Sequence, residues 1–247
     1  MKKEIKICFS PLLFDTVNFK NDFIAVVCDI FRATTSFCRA FYNGADAIIP
    51  VSDFEIAKKL KNEQGVLIAG EIDGQKPLFS DFGNDPAEFI AEKVKGKDIY
   101  YTTTNGTKML LQASKSAQET IIGSFLNIEV VANYVIKQNQ NVVICCSGWK
   151  GGFSFEDSFF AGALAERILI SQNFITKDDD VFVSLEIWNA GKDDPKRYVA
   201  ERSSHFERLK GLGKENILKE AFLMNSCPTL PVMKNGKLID LHRKSTP

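Results

Sequence analysis

The chain has 247 residues, 45% of them hydrophobic, enough to bury a full core as one large domain or two small ones. Basic and acidic residues number 31 each, so the net charge is zero, which disfavours a nucleic-acid or polyanion binder with its usual basic excess. The apolar part of MKKEIKICFS is too short for a secretory signal, and no apolar run reaches the ~18 residues of a membrane span, so a soluble cytoplasmic protein is expected.

In chain order, Ile5–Ser10 and Ile24–Cys28 read as strands, and Ser36–Asn43 as a short helix stopped by Gly44. Ala47–Val51 is a strand. Ser52 and Glu55 form a capping box for a helix that ends at Gly65. Val66–Gly70 is a buried-type strand, followed by the polar loop EIDGQKPLFSDFGNDP. Pro86 then opens a helix to Lys95. Ile99–Thr103, Thr120–Ser124 and Asn141–Ser147 are strands, with helices near Thr107–Ser114 and Asn127–Gln138 between them, and Phe155–Ser171 is helical. After Asp180 the pattern is mostly helical, with Pro195–Lys210 and Lys214–Asn225 amphipathic. LPVMKNGKLID reads as a hairpin closed by Asn235-Gly236.

Alternating short apolar strands and helices predict an α/β fold, three-layer α/β/α, with a mostly parallel or mixed sheet covered on both faces. A single domain is expected, with an α/β part over 1–175 and a mostly helical part with the terminal hairpin over 176–247. The six cysteines show no CxxC spacing. Cys8, Cys28, Cys145 and Cys146 lie in apolar runs, so core packing is expected rather than zinc binding or disulfides.

Ligands of open α/β sheets gather beyond the carboxyl ends of the strands, and the polar clusters here fall at those ends. One strand leads into Asp29-Ile30-Phe31-Arg32-Ala33-Thr34-Thr35-Ser36, another into Gly70-Glu71-Ile72-Asp73-Gly74. A third leads into Thr102-Thr103-Thr104-Asn105-Gly106-Thr107, and a fourth into Ser147-Gly148-Trp149-Lys150-Gly151-Gly152 and on to Glu156-Asp157. Arg32 offers a planar fork of donors for phosphate, sulfonate or carboxylate. The hydroxyls of Thr34, Thr35 and Ser36 sit at a helix entry, where free backbone N–H groups attract anions, and TTTNGT repeats that pattern. Threonines also favour strands, and Ser36 and Asn105 could only cap or turn; two such entries facing one cleft favour an oxyanion cradle.

Several carboxylates beside an anion site would repel the ligand unless a cation sat between them. With only His205 and His242 in the chain, oxygen ligands argue for Mg²⁺. For any one acid a solvated loop carboxylate is the blander reading, except for Asp29, which ends a buried run. No Cys is followed six positions later by Arg, neither histidine sits in Arg-His-Gly, and there is no P-loop or GxSxG elbow. The haloacid-dehalogenase pattern DxDx(T/V) is approached at Asp29, but Phe31 stands in place of its second aspartate.

The segments DIFRATTS at 29–36, NGA at 43–45, GEIDG at 70–74, DFGNDP at 81–86, TTTNGT at 102–107, GSFLN at 123–127 and CSGWKGGFSFED onward from 146 together resemble the 2-phosphosulfolactate phosphatases, the ComB type of coenzyme M biosynthesis. SSHFERLKGLG at 203–213 is similar more weakly. The resemblance implies a Mg²⁺-dependent acid phosphatase of three-layer α/β/α fold, which hydrolyses a phosphate monoester bearing carboxylate and sulfonate groups to sulfolactate and phosphate. Ile72 stands where the family usually has arginine, and Asp85 where it usually has serine.

The expectation is hydrolysis of a small anionic phosphorylated metabolite, direct or through an aspartyl intermediate. Mg²⁺ would be held by Asp29 with Glu71 or Asp157. The phosphoryl group would be held by Arg32, Thr34, Thr35, Thr103, Thr104, Asn105, Gly106 and Thr107, with Asn84 nearby. Asp29 is ligand or nucleophile, and Glu156 or Asp157 a second ligand or the base that orients water. No nucleic-acid or membrane partner is expected, and a homodimer is left open. The other readings are a haloacid-dehalogenase-like phosphatase, a non-catalytic sensor of anionic metabolites, and a structural α/β protein whose polar loops are only turns.

Overall fold

Ten strands form one mixed sheet, which a computed structural model describes at every residue except Met1, Asn18, Lys20, Asn21, Ser52, Asn62, Gln64, Asp73, Thr104, Asn105 and 244–247. The strands are β1 (Lys3–Cys8), β2 (Phe23–Cys28), β3 (Ala47–Pro50), β4 (Leu67–Gly70), β5 (Asp98–Thr102), β6 (Glu119–Ile122), β7 (Asn141–Cys146), β8 (Phe174–Ile175), β9 (Pro231–Lys234) and β10 (Lys237–Asp240). Their spatial order is β4-β5-β3-β10-β9-β6-β2-β7-β1-β8. Two parallel blocks, β4-β5-β3 and β6-β2-β7-β1-β8, are joined by the antiparallel C-terminal hairpin β9–β10.

Period-two burial divides the central strands between two cores. Ile24, Val26 and Cys28 of β2, with Val142, Ile144 and Cys146 of β7, face one apolar cluster, whereas Phe23, Ala25, Val27, Val143 and Cys145 face the other. The first face is covered by α5 (Ile128–Gln138), α6 (Phe155–Ile170) and α7 (Asp179–Gly191), the second by α1 (Ala33–Tyr42) and α4 (Gly106–Ser116). This is the expected three-layer α/β/α arrangement. All six cysteines are buried and free, as expected of small core hydrophobes. No helix among the described residues is long and apolar enough to cross a membrane.

The sheet curls, and the curl builds the cleft. In a flat sheet the six spacings from β4 to β2 would span about 29 Å at the usual ~4.8 Å per strand. Yet Arg32, just past β2, donates from Nη2 to the carbonyl of Gly74, just past β4, at 3.3 Å. Helix α1 fills the concavity: Phe37 meets Tyr101 of β5 edge-on with ring centroids 4.6 Å apart, and Ser36 Oγ donates to the Asn84 carbonyl at 3.1 Å.

Several elements differ from expectation. The helix expected from Pro86 to Lys95 is a 3-10 turn, Pro86–Glu88, capped by Asp85, followed by the single-turn α3 (Ala91–Val94). Ser52 lies outside the described residues; α2 (Phe54–Leu60) is capped by Asp53, whose carboxylate accepts the Glu55 N–H at 2.8 Å. The stretch expected to be one helix over Pro195–Lys210 is α8 (Pro195–Ala200) and α9 (Ser204–Gly211), because Ser203 caps a new helix by accepting the Phe206 N–H at 3.0 Å. Of Lys214–Asn225 only α10 (Ile217–Ala221) is helical.

Candidate active site

A polar cavity lies where the carboxyl ends of β2, β4, β5 and β7 converge beneath α9. Asp29, Phe31, Arg32, Glu71, Asn84, Thr103, Gly148, Trp149, Glu156, Asp157, His205 and Arg208 line it. Residues from five separate stretches thus meet at one point, which the sheet curl makes possible.

The turn after β2 presents the first two groups. Thr34 Oγ1 accepts the Asp29 N–H at 2.9 Å and donates to the Asp29 carbonyl, while Asp29 Oδ1 accepts the Ala33 N–H at 3.2 Å. Thr35 Oγ1 donates to the Ile30 carbonyl at 2.9 Å. Both hydroxyls thus hold the turn's shape and do not line the cavity. Burial pushes the Asp29 carboxyl up to about 6, against the opposing pull of His205 and the Ala33 N–H.

Arg32 is only 3% exposed, and its Nε and Nη1 have no hydrogen-bond partner among the described residues. Its Nη2 reaches Gly74 and lies 3.8 Å from Glu71 Oε2. A buried cation with two unused donors costs free energy unless something supplies acceptors. Glu71 accepts the Gly74 N–H, closing the loop after β4, and Lys214 Nζ also donates to the Gly74 carbonyl.

The acids at the start of α6 are held differently. Ser154 caps the helix, which puts Glu156 and Asp157 in its first turn, where the helix dipole favours negative charge. Asp157 accepts the Ile30 N–H at 2.8 Å and the Gly148 N–H at 3.2 Å, one on each oxygen. Burial, then the charges of Glu156 and Asp29, push its carboxyl well above the ordinary range. Burial also opposes the charge of Glu156, but the bonds from His205 Nδ1 at 2.8 Å and Ser203 Oγ at 2.7 Å prevail and hold it below its ordinary value. Trp149 stacks on His205 with centroids 4.3 Å apart and 18° between planes, and Arg208 lies 4.8 Å from the Trp149 ring.

Of the residues expected from sequence, Asp29, Arg32, Glu71, Asn84, Thr103, Glu156 and Asp157 come together in the cavity. Thr107 Oγ1 instead donates to the Thr103 carbonyl, and the Thr107 N–H to Thr103 Oγ1, both at 3.2 Å. Gly106 opens α4. Thr104, Asn105 and the loop acid Asp73 lie outside the described residues. Sequence reasoning assigned no role to Phe31, Gly148, Trp149, His205 or Arg208; the signal for His205 was its place two residues after the capping Ser203. Among the described residues no three His, Cys, Asp or Glu side chains form a ready cage for a metal ion.

The family described as 2-phosphosulpholactate phosphatase matches residues 8–236. A protein of Caldanaerobacter subterraneus subsp. tengcongensis is 37% identical over 85% of this chain and 88% of its own length. One of Thermotoga petrophila is 37% identical over 87% of this chain and 91% of its own. One of Carboxydothermus hydrogenoformans is 36% identical over 92% and 95%. Each of the three is named "Probable 2-phosphosulfolactate phosphatase".

Proposed function

The chain belongs to the 2-phosphosulpholactate phosphatase family, and from that premise we propose that it hydrolyses a small acidic phosphate monoester, with 2-phosphosulfolactate as the first candidate and sulfolactate and phosphate as the products. The observation that carries this reading is Arg32: a buried guanidinium, two of whose donor nitrogens have no partner among the described residues, in a cavity it shares with four carboxyl groups. A phosphate oxygen supplies the acceptors that Arg32 lacks.

The donor set fits Mg²⁺. Asp29, Glu71 and Asp157 offer only oxygen, and burial with mutual repulsion raises two of these carboxyls, a cost that a cation reverses. Mg²⁺ commonly takes one or two carboxylates plus substrate phosphate and water, so it does not require a three-carboxylate cage. Asp29 with Glu71 or Asp157 would hold the ion, which would supply charge neutralisation at the phosphoryl oxygens. Arg32 orients the phosphoryl group, Asp29 stands at its edge as ligand or nucleophile, and Phe31 and Trp149 narrow the access of water.

Neither departure from the family pattern is among the residues that line this cavity. Ile72 is 41% exposed and pairs with Gln75 in a bridge outside the lining. Asp85 accepts the Ala87 N–H at 3.0 Å, so its charge serves the 3-10 cap. The test is phosphate release from 2-phosphosulfolactate and a panel of small phosphomonoesters, with Mg²⁺ and with EDTA. Metal-dependent release with preference for 2-phosphosulfolactate is expected, and release from no ester would defeat the reading.

A further inference from the structure

Given the phosphatase reading, on which this rests, we propose that His205 is the general acid of the hydrolysis, and that Glu156 and Trp149 position it. Three contacts fix the imidazole. Nδ1 lies 2.8 Å from Glu156 Oε1, and a carboxylate can only accept there, so Nδ1 carries the proton of that bond. The Trp149 indole lies flat against the ring, and the Phe31 ring meets it edge-on with centroids 6.2 Å apart. Nε2 is the other nitrogen of a ring that lines the cavity with Asp29 and Arg32, and in the acting form, an imidazolium paired with the Glu156 carboxylate, it carries the second proton.

Glu156 is itself locked. Ser203 Oγ donates to Oε2 at 2.7 Å while accepting the Phe206 N–H at 3.0 Å, so one side chain caps α9 and fastens it to the first turn of α6. A carboxylate that orients an imidazole whose far nitrogen faces a substrate cavity is the arrangement general acid–base chemistry requires. The plainer reading is that a buried glutamate merely needs partners, and the two readings differ in chemistry that can be measured.

In the step assigned here, the nucleophile's lone pair forms a new P–O bond while the bond from phosphorus to the ester oxygen breaks. The departing oxygen keeps that electron pair and takes the Nε2 proton of the His205 imidazolium, leaving as an alcohol and a neutral imidazole whose Nδ1–H still faces Glu156. The water consumed in hydrolysis supplies the replacement proton, so the sum is ester plus water to alcohol plus phosphate. An alkyl alkoxide is a poor leaving group and depends on this proton. A p-nitrophenolate is stable as an anion and does not.

The experiment compares wild type with His205→Asn, whose amide still reaches towards Glu156 but carries no acid at the Nε2 position. Phosphate release is measured with Mg²⁺ from glycerol phosphate or 2-phosphosulfolactate and from p-nitrophenyl phosphate, with thermal melting as the check of folding. The expected result is a fall of ~10²-fold or more in the rate on the alkyl ester, and a far smaller fall on the aryl ester. Equal losses on both esters, or no loss on either, would overturn the assignment. Should His205→Asn fail to fold, His205→Gln carries the same comparison. A wild type inactive on both esters would defeat the phosphatase reading itself, and with it this role, before any variant is made.

Discussion

Asp157 Oδ1 accepts the backbone N–H of Ile30 at 2.8 Å, fastening the first turn of α6 to the turn that carries Asp29 and Arg32. Its other oxygen holds Gly148, next to Trp149, so this one side chain ties two cavity loops together. Asp157 therefore aims the loops of β2 and β7 whatever else it binds.

Asparagine at this position keeps one acceptor and points an N–H at a backbone donor. Asp157→Asn should therefore cost about 1–3 kcal/mol of stability through these bonds, read near pH 4 where the raised carboxyl is neutral and asparagine relieves no buried charge, and should lower turnover. Urea denaturation of the variant checks it, and unchanged stability would mean that the two backbone bonds do not matter.

Asp29→Asn should behave in the opposite sense on stability. The Asp29 carboxyl rises from 3.8 to about 6 on folding. Between those pH values the folded state keeps a proton that the unfolded chain has released. The contribution is thus favourable below about 4 and is lost as pH rises through about 6, at 1.36 kcal/mol per unit and so of order 3 kcal/mol in all. Asparagine cannot titrate, so in metal-free buffer the variant should gain stability relative to wild type between pH 4 and pH 7, and its turnover should vanish. Parallel stability–pH curves for the two proteins would refute this account of Asp29.

The placement of polar clusters at strand ends was legible in the sequence because each follows directly on an apolar run, and Asp29, Glu71, Thr103 and Gly148 do converge. What could not be read was the curl. It depends on β9–β10 inserting between β3 and β6, a pairing between distant stretches that no local pattern encodes. His205 was hidden for a related reason: an amphipathic period running through 195–210 masked the cap at Ser203, and the partner that gives His205 a role is 49 residues away. Thr34 and Thr35 carried the right chemistry for an anion, but their hydroxyls answer to the backbone of their own turn. Hydroxyls at a helix entry have two uses, and sequence alone does not separate them.

Gly162 tests the packing beneath the site. A Cβ there would lie 2.0 Å from the Ser184 carbonyl oxygen of α7, so only glycine permits this close approach of α6 and α7. Gly162→Ala should cost about 1–3 kcal/mol by overpacking while the folded protein still turns over. Calorimetric melting reads the loss, and a melting temperature equal to wild type would show that the helices separate freely.

If the buried Arg32 guanidinium anchors phosphate, calorimetric titration of inorganic phosphate, with Mg²⁺ present, will separate wild type from Arg32→Met. Phosphate should bind wild type and bind the variant at least ~tenfold more weakly, as befits the loss of charge-assisted hydrogen bonds. The variant should stay folded but melt lower than wild type, because methionine removes the donor to the Gly74 carbonyl and the ion pair with Glu71. Equal phosphate affinity in the two proteins would contradict the account.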